Sequence, residues 1–168
     1  MLAIFYIEQL LILRGILSNR LHLSNIMMDV DGSPSGYVAW YNHYTGTSRI
    51  RIIRPAVKND KFGVQRVEML AIYFALVDNR PHFRRVSKRL GKKPQQQLII
   101  NIKSDSKSTV EQLQGISKVR DTILHRIFQA ITKLLAGVTH YSSILFNHLE
   151  RTRNIAGTYA LHGEISTH

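Results

Sequence analysis

Along residues 21 to 44, LHLSNIMMDVDGSPSGYVAWYNHY, apolar and polar residues alternate on both sides of a break at DGSPSG, where Gly and Pro force a turn. The pattern predicts a strand, a tight loop and a second strand. TGT then turns the chain into SRIRIIRPAV, whose alternating Ile and Arg predict a third strand and complete an antiparallel meander. In VQRVEMLAIYFALVDN the period changes. Val64, Val67, Ala71, Phe74 and Ala75 recur at helical spacing, which predicts one buried helix face. QLIINIK is a short β-branched run suited to a central strand covered on both faces. Residues 108 to 136 read as helical with a break near Gly115, SSILFNHL as a last strand, and a short helix begins near Asn154. The order is three strands, helix, strand, helices, strand, helix. It predicts an α/β (α+β) architecture, a five-stranded mixed sheet flanked by helices.

The first stretch, MLAIFYIEQLLILRGIL, is apolar enough to raise the question of a signal or a membrane span, but Glu8 and Arg14 interrupt it. It also lacks the early positive charge and the small-residue cleavage site of a signal peptide. It reads as an amphipathic helix or strand packing on the body or on a second copy, or as residues ahead of the natural start. Residues 1–20 are therefore set apart as an apolar extension and residues 21–168 as one domain, a monomer or a homodimer through that extension. A chain of 168 residues, 44% hydrophobic, suffices for one core. With no cysteine, a disulfide framework and a thiolate metal site are both excluded, and an intracellular, cytoplasmic protein with no membrane contact is expected.

Charge narrows the partner class. Twenty-three Lys and Arg stand against 11 Asp and Glu, a formal +12, which attracts polyanions and makes nucleic acid the leading partner. The segment RPHFRRVSKRLGKK holds Arg80, Arg84, Arg85, Lys88, Arg89, Lys92 and Lys93 with no acid. It reads as a phosphate-binding stretch, with an ordinary solvated basic loop as the plain alternative. Lys118, Arg120 and Arg126 in the later helical region share the basic character. No Gly-rich phosphate loop follows a strand, and DGSPSG lacks the required spacing, so no small organic cofactor is implied.

The acids come to one place if the first and fourth strands are adjacent and parallel. Asp31 ends the first strand, Asp105 ends the fourth, and Glu68 on the first long helix would supply a third carboxylate. Three such groups repel one another unless divalent cations sit between them, and hard oxygen ligands suit Mg²⁺ or Mn²⁺. Each acid has a plain alternative: Asp31 as a turn former beside Gly32, Glu68 as a solvated helix residue, Asp105 as a helix cap. Asp29 reads as an outward polar residue in preference to a further ligand. The histidines show no metal-ligand spacing and read as surface groups.

Taken in order, DVDGSPSGYVAWY, VQRVEMLAIYFAL, INIKSDSKSTV and HLERTRNIAGTYA resemble the successive motifs of the ribonuclease H family, type I-like, and together span residues 21 to 162. The resemblance implies a ribonuclease H-like fold and hydrolysis of the RNA strand of RNA–DNA hybrids. It implies two Mg²⁺ or Mn²⁺ ions held by Asp31, Glu68 and Asp105. By the same matching, Gly32, Ser33, Gln65, Ser106, Lys107, Arg151 and Asn154 line the hybrid groove. Arg84, Arg85, Lys88 and Arg89 of the basic segment, which lies elsewhere than the basic helical region many family members use, are expected as further phosphate contacts from their charge alone. The chain departs from the pattern at Gly157, where family members usually carry a fourth acid. Glu150, His148, His162 and Glu164 are the groups within reach in sequence to compensate. Two other readings stay open: a non-catalytic nucleic-acid-binding module on the same fold, and another nuclease or exonuclease of that fold.

Overall fold

The computed structural model of the chain describes residues 24–91 and 97–166. The N-terminal extension, and the homodimer contact expected of it, lie outside the described residues. β1 (Ser24–Gly32), β2 (Tyr37–Asn42) and β3 (Thr47–Ile52) form the antiparallel meander. A one-turn helix α1 (Pro55–Lys58) and the long helix α2 (Gly63–Leu90) follow. Then come β4 (Leu98–Ser104), α3 (Lys107–Leu113), α4 (Thr122–Val138), β5 (Ser142–His148), a 3₁₀ turn (Arg151–Arg153) and α5 (Ile155–Ser166). The sheet order is β3-β2-β1-β4-β5, with β4 parallel to both β1 and β5, as the five-stranded mixed arrangement requires.

The two faces of the sheet bury different chemistry. On one, Ile26, Met28 and Val30 of β1 join Ile100 and Ile102 of β4 and Ile144 of β5 in a single apolar cluster with Val67, Ala71, Ile72 and Ala75 of α2 and Leu124 and Ile131 of α4. Removing these surfaces from water is the main source of stability, at about 1.5–3 kcal/mol for each large aliphatic side chain. On the other face, α5 lies against β2 through the small side chains Ala39, Ala156 and Ala160. Small residues let the helix come close to the strands, and that closeness brings the start of α5 to the end of β1.

Three sequence expectations change. The third strand ends at Ile52, and Pro55 opens α1. A proline cannot continue a hydrogen-bonded ladder but suits a first helical turn, and it holds Arg54 in an extended conformation (φ −58°, ψ 141°). The plain alternative of a loop after Asn79 does not hold for Arg80 to Leu90, because α2 runs through Pro81 to Leu90; Lys92 and Lys93 lie outside the described residues. Phe83 and Val86 keep the helical period and are buried, and that burial outweighs the one backbone donor that Pro81 lacks. Val64, placed on the buried face by its spacing, is exposed at the first turn of α2. The break near Gly115 is present and wide: Gly115 takes φ +77°, and the chain between Leu113 and Thr122 is not helical.

Candidate active site

The parallel register of β1 and β4 pairs Val30 with Ser104, so the next residues in each strand, Asp31 and Asp105, emerge side by side at the same end of the sheet. α2 closes on that end from the side. A Cβ on Gly32 would stand 2.7 Å from the Glu68 nitrogen and the Val67 carbonyl carbon, so only glycine lets strand and helix meet this tightly. That contact delivers Glu68 to the two aspartates. One carboxylate oxygen from each of Asp31, Glu68 and Asp105 lies within 4.8 Å of the others.

The plain alternatives for Glu68 and Asp105 do not describe these side chains. Glu68 is buried, not solvated, and its Oε2 has no hydrogen-bond partner. Asp105 does not cap α3: Ser106 is the boundary residue, and the buried Asp105 Oδ1 is likewise without a partner. Burial pushes the Asp31 carboxyl up to about 7, with Asp105 adding repulsion and a shared hydrogen bond and Arg151 pulling weakly the other way. Glu68 is raised well above the carboxylate range, by burial first and then by the charges of Asp31 and Asp105. Three oxygen donors that cannot all ionise comfortably, two of them with unsatisfied buried oxygens, fit a hard divalent cation.

The acids sit in a cleft of about 440 Å³ lined also by Gly32, Ser33, Arg151, Asn154 and Gly157. Asn154 is buried there and donates its amide to the Val30 carbonyl at 2.9 Å, tying the start of α5 to β1. Gly157 follows on the first turn of that helix, and a Cβ built on it would stand 3.5 Å from the Asp31 Oδ2. A side chain there would point at the acid cluster. Of the groups considered as substitutes for an acid at 157, Glu150 is exposed and pairs with Arg153 at 3.7 Å, while His148 lies 3.2 Å from the Asp105 carbonyl oxygen. The side chains of His162 and Glu164 lie outside the described residues.

Of the remaining candidates, Ser33 accepts from the Tyr37 backbone N–H at 3.2 Å, and Gln65 is half-buried one turn before Glu68. The Ser106 hydroxyl is 2.8 Å from that of Thr109, and exposed Lys107 faces Glu111 at 3.7 Å. Arg84, Arg85, Lys88 and Arg89 are not brought to the cleft. They lie 16 or more residues beyond Glu68 on α2, about 24 Å along the helix.

Two groups that frame the site were missed in the sequence. Asp29 is not outward: it is buried, with His43 Nε2 at 3.0 Å, and it accepts from the backbone N–H of Ile155, the first residue of α5. Its place on the strand face of Asp31 was the available signal. Arg66 is buried beside Glu68 and donates a two-pronged pair of bonds to Asp121, 2.7 Å each, and a third to Asp60 at 2.7 Å. Asp121 in turn caps α4 by accepting from Leu124 N–H at 2.8 Å. Nothing in the spacing of residues 60, 66 and 121 announces this clamp.

The architecture is the ribonuclease H fold. No protein-family model and no curated protein matches the chain. Solved structures do. RNase H1 from the halophilic archaeon Halobacterium salinarum NRC-1 is similar over 86% of this chain and 100% of its own, with TM-score 0.62 and 18% identity. LC11-RNase H1, in complex with an RNA/DNA hybrid, is similar over 81% and 91%, with TM-score 0.57 and 17% identity. The N-terminal RNase H domain of a Mycobacterium tuberculosis protein is similar over 85% and 97%, with TM-score 0.56 and 16% identity. Among the described residues, no helix is long and apolar enough to cross a membrane.

Proposed function

We propose that this chain is a divalent-metal-dependent endonuclease that hydrolyses the RNA strand of RNA–DNA hybrids. The observation that carries the reading is the convergence of Asp31, Glu68 and Asp105 at the ends of two parallel strands, with buried carboxylate oxygens left unpartnered. The fold supports it, as does a neighbour of that fold described in complex with an RNA/DNA hybrid. Asp31, Glu68 and Asp105 are the groups that would hold two Mg²⁺ or Mn²⁺ ions. When bound, such ions supply Lewis acidity for activating water and for neutralising charge on the departing 3′ oxygen. The three carboxylates by themselves repel a phosphodiester, so cations held between them would be what draws the scissile phosphate in, and Arg151 at the cleft's rim offers a guanidinium to a phosphate oxygen. Gly32 and Ser33 present the backbone at the cleft mouth to the hybrid, where 2′-hydroxyl contacts would distinguish the RNA strand. A +12 charge on a chain without cysteine fits an intracellular protein working on nucleic acid.

A second reading rests on Gly157. With glycine at 157, where a Cβ would stand 3.5 Å from the Asp31 Oδ2, the cluster lacks a fourth acid and the same fold would serve as a binding module without turnover. Labelled hybrid, single-stranded RNA and duplex DNA, each incubated with Mg²⁺ and with Mn²⁺, separate the two. The nuclease reading expects metal-dependent cutting of the hybrid's RNA strand that Asp105→Asn abolishes. Tight hybrid binding with no cutting under either metal would leave the binding module.

A further inference from the structure

The far half of α2 carries a second, oppositely charged cleft. Val77, Arg80, Pro81, Arg84, Arg85, Lys88 and, from α4, Leu134 enclose about 440 Å³. Arg80, Arg84 and Lys88 recur every four residues, one stripe about 12 Å long. Like charges at that spacing repel. No acid lines the cleft, and none of its four cations forms an ion pair among the described residues. Elsewhere the protein matches its part-buried arginines: Arg51 has Asp78, and Arg66 has Asp60 and Asp121. Here Arg80 has its Nε buried without any partner, against the α4 backbone at Gly137, where a Cβ would stand 3.2 Å from the guanidinium. His82, on the same stretch, is held below its usual pKa by burial and by Arg85 and Arg89, a further sign of unneutralised positive potential.

We infer that this cleft between α2 and α4 is a second nucleic-acid site, a phosphodiester-backbone clamp about 24 Å from the acid cluster. A stripe of about 12 Å is long enough to follow a short run of successive phosphates along one strand. The shape favours a strand over a lipid surface. The exposed large apolar side chains, Met27, Tyr44, Ile50, Ile52, Val64, Ile116 and Ile155, all lie outside this part of α2, so the stripe has nothing to insert among acyl chains. The clamp rests on the reading of nucleic acid as the partner and is independent of cleavage. It gives the protein a hold on its substrate that persists when the acid cleft is empty of metal.

The test measures hybrid and duplex-DNA affinity in EDTA across a salt series, for the natural protein, for Arg84→Gln combined with Lys88→Gln, and for Arg84→Lys combined with Lys88→Arg. Both positions are exposed, and matching thermal melts establish that the variants are folded. The neutral pair is expected to lower the slope of log affinity against log salt by about 2 and to weaken binding in 0.1 M salt by about 10- to 100-fold. The charge-preserving pair is expected to keep the slope. An unchanged slope in the neutral pair overturns the inference. Because the ions are chelated, failure of the nuclease reading leaves this readout intact. A protein that cuts hybrid with an unchanged slope retains the proposed function and loses the clamp.

Discussion

Arg66 and Glu68 stand two residues apart on one helix, both buried, and meet opposite circumstances. Arg66 has every charge around it answered: two carboxylates fork onto it, and Asp121 is held down at about 2, first by its bond to Arg66. Glu68 faces two more acids, keeps an oxygen without a partner and is pushed up in pKa. A buried charge that is fully paired is architecture, since removing one partner strands the other. A buried acid surrounded by its own sign is a candidate site for a ligand of the opposite sign. The Arg66 clamp ties the start of α2 to the loop at Asp60 and to the head of α4.

The largest effect expected from separating the two is on turnover. Asp31→Asn or Asp105→Asn should lower hybrid cleavage by about 10⁴-fold, some 5.5 kcal/mol of barrier, while hybrid binding holds or strengthens. Full activity in either variant would show that these acids are not the site. Arg66→Met should instead cost about 3–5 kcal/mol of folding stability, read from denaturant midpoints, because Asp121 and Asp60 lose their partner. If Arg66→Met melts with the natural protein, the clamp is not structural and the contrast with Glu68 collapses.

The pH dependence of stability should run in opposite directions for the two groups. Asp121, lowered to about 2, contributes stability that is present above the ordinary carboxylate range and lost as pH falls from about 4 to about 2. Asp31, raised to about 7, keeps its proton in the fold after the unfolded chain has lost it, so metal-free stability falls as pH rises from about 4 to about 7. Allowing for its partial exposure, that second loss should amount to about 1–3 kcal/mol. Thermal melts in EDTA should show it, Asp31→Asn should flatten it, and millimolar Mg²⁺ or Mn²⁺ at pH 8 should reverse it. A metal-free melt indifferent to pH over that window would argue against a repelling cluster. The smallest effect is at Gly157. Gly157→Asp has room beside Asp31 and should raise the cleavage rate several-fold, by about 1 kcal/mol of barrier, if a fourth ligand is limiting. An unchanged or lower rate would mean that three acids already suffice.

Much of this fold is written locally. The alternation around DGSPSG, the helical spacing of Val67, Ala71 and Ala75 and the β-branched QLIINIK run each report a backbone period, and each became the element it predicted. Where local reading failed, a tertiary contact had overruled a local signal. A solvated basic loop was the plain reading after Asn79, yet burial of Phe83 and Val86 carries α2 through Pro81, and Asp29 reads as outward until α5 covers it. Asp31 and Asp105 were nameable from sequence because they follow strand periods to their ends, and Glu68 because it sits in a helical period, whereas the bonds of Arg66 to Asp60 and Asp121 join positions as far as 55 residues apart with no periodic trace. The sequence by itself determined the elements, their order and the excess of positive charge, all properties of short windows or of composition. Only the tertiary structure decided which charges are answered and which are left facing their own sign, because pairing and desolvation depend on distances that arise when strands align and helices pack.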